Sequence, residues 1–204
     1  MKIPTCAAAQ ALLAEAEQLN PGPWVQHSIY VGEAARAIAA RHPDLDAETA
    51  FTLGCLHDIG RRVGVTDMRH VLDGYTYLHE KGYEDAAQIC LTHSFVIQHI
   101  DAVGGQWDCT ADELQFIKDY LGRVRYTDYD RLIQLCDALA LPSGFCLIEK
   151  RFVDVTMRRG FNAYTIQRWQ GYLDVQRHFE TIIGCSVYAV LPGVVENTFG
   201  EISF

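Results

Sequence analysis

Apolar residues recur at intervals of three and four along most of the chain, the spacing that places them on one face of an α-helix. Together with capping residues and with proline and glycine breaks, this pattern predicts a series of helices. Their expected ranges are 5–20, 24–41, 46–59, 67–80, 84–100, 129–141, 145–159 and 164–183. A further helix is expected after Thr110, because Thr110 and Glu113 have the spacing of a capping box. The pattern therefore favours an all-α fold.

Two segments do not follow the helical pattern. Residues 60–67 are polar and interrupted by glycine, which is typical of a connection between helices. Residues 186–204 have a strand-like composition, and we expect them to form a short irregular C-terminal tail. No residue after Gly184 suggests a role for this tail.

Several polar residues interrupt the apolar faces of the predicted helices. Asp137 follows Ile133 by four positions and precedes Leu141 by four, so its carboxylate is expected to point into the core. An isolated buried carboxylate costs several kcal/mol unless a cation or hydrogen-bond donors compensate it. Four further residues have comparable positions on their own helices: His27, His57, Asp58 and His93.

Each of these residues has an ordinary explanation when it is considered alone. A single inward histidine is more often a hydrogen-bonded core residue than a ligand, and a single inward aspartate more often caps or packs a helix. Several helices that each deliver an imidazole or a carboxylate to one small interior are harder to explain in that way. Neutral imidazoles and carboxylates together suit a divalent metal ion. We therefore expect a metal site.

Composition and charge narrow the classes of partner. The chain has 204 residues, which favours a single domain over 1–204. A net charge of −9 disfavours binding to nucleic acid polymers or to anionic membranes, and no apolar run has the length of a membrane helix. The seven cysteines are odd in number and form no CxxC, so they fit a reduced, cytoplasmic protein better than a disulfide framework.

The order and spacing of these residues resemble a known superfamily. His27 in WVQHSIYV, the pair His57-Asp58 in LHDIG and Asp137 in LCDAL resemble the H…HD…D signature of the HD-domain metalloproteins. The similarity covers about residues 24–143, with the helices and tail of 145–204 completing the domain. The resemblance implies an all-α helical bundle. It also implies that His27, His57, Asp58 and Asp137 bind a first metal ion.

A subset of this superfamily holds two metal ions, using two more histidines between the HD pair and the last aspartate. His70, with Gly74 four positions later, and His93 fit that form. The resemblance then implies that Asp58 bridges to a second ion held by His70 and His93. His79 and His99 compete with them, but His79 lacks a matching glycine and His99 lies off the face of His93. His42 is expected to be a helix-end residue, and His178 is expected to be a surface or packing residue.

Within this superfamily, the order and spacing of these residues resemble in particular those of the bacterial diadenosine tetraphosphate hydrolases. The cyclic-di-GMP phosphodiesterase branch fits less well, because its GYP tripeptide is absent. These relatives imply hydrolysis of a small phosphorylated metabolite, most simply a nucleotide, by a hydroxide that divalent ions activate. Fe, Mn, Mg, Co, Ni and Zn all suit the ligands, so the residues do not select the metal.

The resemblance places Asp58 and Arg61 in the catalytic machinery. Arg61 stands where family members often carry lysine, and a guanidinium can bind phosphate through two hydrogen bonds. The alternative for Arg61 is a solvated loop residue. Three other arginines, Arg36, Arg123 and Arg125, could also meet a substrate, and nothing in the sequence selects among them.

Two other functions stay open. Some HD-domain proteins with six such ligands hold a mixed-valence di-iron centre and oxidise C–H bonds with dioxygen. A non-catalytic ligand-binding module is the second alternative, although retention of every expected ligand argues against it. The last helix carries five large apolar residues that can pack internally or against a partner in a homodimer: Ile166, Trp169, Tyr172, Leu173 and Phe179.

Overall fold

The computed structural model describes residues 1–200, and the regular secondary structure of this part of the chain is almost entirely helical. Its α-helices are Cys6–Leu19 (α1), Pro23–Ala39 (α2), Ala47–Leu56 (α3), His70–Glu80 (α4), Glu84–Thr92 (α5), Ala111–Arg123 (α6), Asp128–Leu139 (α7), Ile148–Arg159 (α8), Thr165–Ile183 (α9) and Val194–Phe199 (α10). Short 3₁₀ helices cover Ile59–Val63 and Val187–Ala189. The predicted all-α fold is confirmed.

Residues with side-chain oxygen atoms fix where several helices begin. Thr110 and Glu113 form the expected capping box at the start of α6, each side chain accepting a hydrogen bond from the other's backbone N–H. Thr127 and Asp130 form a second capping box at the start of α7. These caps satisfy backbone donors that have no partner within the helix.

Helices α2, α3 and α7 form the centre of the main core. The axes of α2 and α3 approach closely because glycines face each other at the crossing. A Cβ atom added to Gly54 would lie only 2.6 Å from the Cα of Gly32. This close approach positions His27 on α2 near the end of α3, where His57 and Asp58 follow.

A second apolar cluster supports the other half of the site. It lies beneath α4, α5 and α6, and its buried members include Val71, Leu91, Phe95, Ile117 and Leu121. Because α4 begins at His70 and α5 ends just before His93, packing in this cluster sets the separation of those two residues.

The helix predicted over 84–100 is shorter than expected and ends at Thr92. The side-chain amide of Gln134 on α7 donates hydrogen bonds to the carbonyls of Thr92 (3.0 Å) and Phe95 (3.3 Å). Asp130 accepts a hydrogen bond from the Thr92 hydroxyl at 2.7 Å. A neighbouring helix thus satisfies groups that would otherwise continue the helical ladder.

The C-terminal segment also differs from the prediction. The expected irregular, strand-like tail contains the 3₁₀ helix Val187–Ala189 and helix α10, while residues 201–204 lie outside the described part. Buried Val187 and Val194 pack against the main core, and the Thr198 hydroxyl accepts a hydrogen bond from the Leu147 N–H. Tertiary packing therefore outweighs the local strand preference of this segment.

The remaining differences are local. The expected connection at 60–67 overlaps the 3₁₀ helix Ile59–Val63. Helix α7 ends at Leu139, and two short strands follow, Ala140–Leu141 (β1) and Gly144–Phe145 (β2). They pair antiparallel around a tight turn, with Ala140 opposite Phe145. Within residues 1–200, no helix combines the length and the apolar character needed to cross a membrane.

Candidate metal centre

The structure brings together the six side chains that the sequence selects as metal ligands. They come from five places in the fold: α2, the end of α3, the start of α4, the end of α5, and α7. The residues are His27, His57, Asp58, His70, His93 and Asp137. All are buried except Asp137, whose side chain is 22% exposed.

Three of the histidines are oriented in the same way. In each of them, Nδ1 donates a hydrogen bond to the backbone carbonyl of the residue three positions earlier, and a carbonyl can only accept. The pairs are His57 with Gly54 (2.7 Å), His93 with Cys90 (2.8 Å), and His70 with Asp67. The proton therefore lies on Nδ1, which leaves the Nε2 lone pair free for a metal ion.

These Nε2 atoms converge on the carboxylate of Asp58. The Nε2 atoms of His70 and His93 lie 3.2 Å and 3.6 Å from Asp58 Oδ1, and 3.4 Å from each other. His57 Nε2 lies 3.9 Å from Asp58 Oδ2. Asp58 thus lies between His57 on one side and His70 and His93 on the other.

The other end of the cluster joins α2 to α7. His27 Nε2 lies 3.0 Å from Asp137 Oδ1, within hydrogen-bond distance. The imidazole of His57 connects this pair to the rest, because its ring centroid lies 5.3 Å from that of His27 and 4.9 Å from that of His93. The six side chains form one continuous group.

Burial keeps two of the imidazoles uncharged. Removal from water lowers the pKa of His57 to about 4. Burial, reinforced by the neighbouring Arg61 guanidinium, lowers the pKa of His70 to about 3. Both side chains are therefore neutral at pH 7, which is the form that binds metal ions.

The carboxylates behave in the opposite way. Burial alone would raise the pKa of Asp58, but the Arg61 guanidinium and the surrounding imidazoles hold it well below its usual range. Burial likewise opposes ionisation of Asp137, yet its hydrogen bond with His27 lowers the pKa of that carboxyl. The site therefore offers neutral imidazoles beside ionised carboxylates.

A cation would satisfy atoms that the described residues leave unpartnered. Within residues 1–200, His57 Nε2 and Asp58 Oδ1 are buried and have no hydrogen-bond partner. Three overlapping sets have ligand atoms within 4.8 Å of one another: His27, His57 and Asp58; His57, His93 and Asp137; and Asp58, His70 and His93. The donor set suits divalent metal ions, so these residues fit a metal site.

Close backbone contacts hold Asp58 and His70 together. Gly60, two residues after Asp58, packs against the first turn of α4. A Cβ added to Gly60 would lie 2.0 Å from the carbonyl oxygen of His70 and 2.4 Å from the backbone nitrogen of Gly74. The glycines of HDIG and of the His70…Gly74 pattern therefore meet each other, which gives their spacing a physical reason.

Arg61 lies inside the cluster rather than in a solvated loop. Its Nε donates a hydrogen bond to Asp58 Oδ2 at 2.6 Å, and its Nη2 is 3.4 Å from His70 Nε2. The side chain is 30% exposed. Arg62 points elsewhere, with its guanidinium over the Tyr77 ring and 3.3 Å from Glu15.

The other histidines lie outside the cluster. His79 is exposed and stacks on Tyr75, and His99 is largely exposed against Tyr164. His178 lies near Asp128 at the surface, whereas His42 is buried against Phe179. Among residues 1–200, none of these four belongs to a set able to hold a metal ion.

The cluster opens into a cavity of about 530 Å³, a size typical of small-molecule sites. The wall opposite the cluster comes from α8, α9 and the loop around Gly104. This wall was not predicted from sequence, although Arg151, Arg158 and Arg159 are spaced by seven and eight positions on α8 and so share one helix face. The three arginines considered from sequence do not line it: Arg36, Arg123 and Arg125.

Comparison with known proteins agrees with this geometry. A family model described as HD domain matches residues 24–141, more than half of the chain. Comparisons with curated proteins and with solved structures gave no match. The matched range contains all six clustered side chains and closely follows the range expected from sequence. The chain therefore belongs to the HD-domain family, whose members are mostly metal-dependent hydrolases.

Proposed function

We propose that this protein is a metal-dependent phosphohydrolase that cleaves a small phosphorylated metabolite, with a nucleotide as the substrate class. One observation carries the proposal: ligand sets that share Asp58 form the floor of a cavity large enough for a small molecule. A buried site that is open on one side can bind metal ions and still admit a substrate.

In this proposal the cluster holds two divalent ions. His27, His57, Asp58 and Asp137 hold the first, and Asp58, His70 and His93 hold the second. The support is the arrangement of the sets, because Asp58 has one oxygen facing His70 and His93 and the other facing His57. Such a pair of ions supplies an activated water and neutralises charge on a phosphate.

The protein's own groups prepare the site for this chemistry. The low pKa of Asp58 keeps that carboxylate ionised, and the Nδ1 hydrogen bonds hold the imidazoles in their ligating tautomer. Arg61 uses its Nε on Asp58, which leaves other guanidinium N–H groups for a phosphate oxygen at the cavity edge. Arg61 thereby couples substrate binding to the bridging carboxylate.

The nucleotide class is supported by the sides of the cavity. Trp24 and Trp169 both line it, and aromatic rings of this kind stack on nucleobases. The resemblance to diadenosine tetraphosphate hydrolases makes dinucleoside polyphosphates the first members of the class to test. No comparison identifies a substrate.

The proposal is tested by measuring hydrolysis, both as nucleotide products separated by chromatography and as released inorganic phosphate, with protein loaded with Mn²⁺ or, without oxygen, with Fe²⁺. The panel contains nucleoside mono-, di- and triphosphates, diadenosine polyphosphates and sugar phosphates. We expect one nucleotide group to be hydrolysed by the wild type and by His79→Ala, whose imidazole is outside the cluster, and not by His57→Ala. Full activity in His57→Ala, or no hydrolysis by the wild type with any metal, would contradict the proposal.

The same preparation tests the oxygenase alternative, which uses the same ligands. Metal-dependent oxygen consumption without any hydrolysis product would replace hydrolysis by C–H oxidation. Metal binding without either reaction would favour a non-catalytic module.

A further inference from the structure

Arginine side chains are concentrated in the cavity above the metal centre. Five line it, from the end of the HD motif and from α8 and α9. Four of these have a carboxylate partner: Arg61 with Asp58 (2.6 Å), Arg159 with Asp67 (2.7 Å), Arg158 with Asp154 (2.9 Å) and Arg151 with Asp154 (3.5 Å). Each of these four guanidinium groups therefore has an anionic partner within the protein, with Arg151 and Arg158 sharing Asp154.

Arg168 on α9 is the exception. Among residues 1–200, its guanidinium has neither a carboxylate partner nor a side-chain hydrogen bond, and its Nε is buried with no partner. Burial lowers the pKa of this guanidinium, although an arginine stays protonated at any physiological pH. A partly buried cation without a partner is unfavourable unless a ligand compensates it.

The loop opposite α9 leaves room for this guanidinium. A Cβ atom at Gly104 would lie 2.9 Å from Arg168 Nη1, closer than side chains normally approach, and 3.5 Å from Val155 Cγ1. The Arg168 guanidinium therefore occupies the space that a side chain at position 104 would otherwise fill. Next to it, Trp169 stacks on Phe152 with ring centroids 5.5 Å apart, which makes an apolar surface in the same cavity.

We propose that Arg168 binds a second anionic group of the substrate, a phosphate or a carboxylate, while the first phosphate lies at the metal centre. This inference rests on the proposed phosphohydrolase function and restricts its substrates to molecules with two separated anionic groups. The guanidinium supplies two parallel hydrogen bonds to such a group, and the Trp169–Phe152 surface contacts the part between the two charges. Arg168 lies outside the range that matches the family model.

Non-hydrolysable probes test this inference. Calorimetric titration of the Mn²⁺-loaded protein compares alkylphosphonates of three to six carbons with bisphosphonates and phosphonocarboxylates of the same chain lengths. The wild type is compared with Arg168→Gln and with Arg177→Gln. Arg177 is on the same helix but is 66% exposed and pairs with Asp174, so it controls for loss of charge on α9. Metal content and melting temperature establish that each variant is folded and loaded.

We expect one two-headed probe to bind wild type and Arg177→Gln at least roughly tenfold tighter than the alkylphosphonate of equal length. In Arg168→Gln this advantage is lost, while affinity for the alkylphosphonate is unchanged. Arg168→Lys should retain part of it, because it keeps the charge but not the paired hydrogen bonds. A gain for bisphosphonates alone identifies a phosphate as the second group, and a gain for phosphonocarboxylates alone identifies a carboxylate.

The inference is overturned if alkylphosphonates bind but no two-headed probe binds tighter, or if the advantage survives in Arg168→Gln. In those cases the proposed hydrolase function still stands. If no phosphonate binds to the metal-loaded protein, the proposed function fails, and the assignment of Arg168 fails with it.

Discussion

Asp58 Oδ1 and His70 Nε2 face each other at 3.2 Å, and neither atom carries a proton. The carboxyl is ionised because its pKa is held well below the usual range, and the His70 proton lies on Nδ1, which is bonded to the Asp67 carbonyl. Two lone pairs at this distance repel each other unless a cation lies near both. In this structure the cation is the Arg61 guanidinium, which contacts both residues. A metal ion at the same place would provide a stronger charge.

The HD pair should be essential for metal binding and dispensable for folding. His57→Ala or Asp58→Ala removes a ligand that belongs to two of the three overlapping sets, so we expect both variants to lose bound metal. The far-UV circular dichroism spectrum should stay helical, since the apolar core is untouched. Full metal occupancy in either variant would contradict the assignment.

His70 should affect only the second ion. Because His70 occurs only in the set with Asp58 and His93, His70→Ala is expected to halve the metal content and to leave one ion per chain. His79→Ala is the matched control from the same helix, as its exposed ring stacks on Tyr75. If His79→Ala loses an ion and His70→Ala does not, the second site has been assigned to the wrong histidine.

Gly60 should be intolerant of any side chain. Gly60→Ala places a methyl group against the His70 carbonyl, and overpacking of this kind costs about 1–3 kcal/mol. We expect a lower free energy of unfolding in urea and a weaker second metal site, because the backbone of α4 must move. Gly122→Ala in α6 is the control, since no atom lies within 4 Å of its added Cβ and alanine favours helix. Equal stability of the two variants would show that the close contact has no energetic role.

Arg61 should contribute more to substrate affinity than to metal retention. Arg61→Ala removes the guanidinium that lies at the cavity edge, and we expect KM for a phosphate substrate to rise by roughly tenfold while the metal content changes little. Arg62→Ala should leave KM unchanged, because Arg62 packs over Tyr77 outside the cavity. Unchanged kinetics in Arg61→Ala would exclude a role in phosphate binding.

The metal-ligand cluster could be predicted from sequence because the spacing of residues within each helix determines which side chains face the core. Three- and four-residue spacing places His27 and Asp137 on the buried faces of α2 and α7, and the structure has them there in contact. The predicted end of α5 was wrong because the helix ends where the Gln134 side chain, which belongs to another helix, hydrogen-bonds its last carbonyl. Helical periodicity contains no information about such a distant hydrogen bond.

The cavity wall could not be predicted for a similar reason. Arg158 follows Asp154 by four positions and Arg177 follows Asp174 by three, so the two arginines look alike in sequence. Only the packing of α8 and α9 over the metal centre places Arg158 in the cavity and leaves Arg177 at the surface. No local sequence pattern sets Arg168 apart from the other arginines, because its distinguishing feature is that its guanidinium lacks a carboxylate partner among the described residues.

The central claim, that the clustered histidines and aspartates hold two metal ions, is tested most directly by elemental analysis. The protein is purified without chelators or nickel resin, and its metal content per chain is measured before and after reconstitution. We predict two ions per chain in the reconstituted wild type. A protein that binds no metal even after reconstitution would contradict the account, because the buried Asp58 and its histidines would then have no cation beyond Arg61.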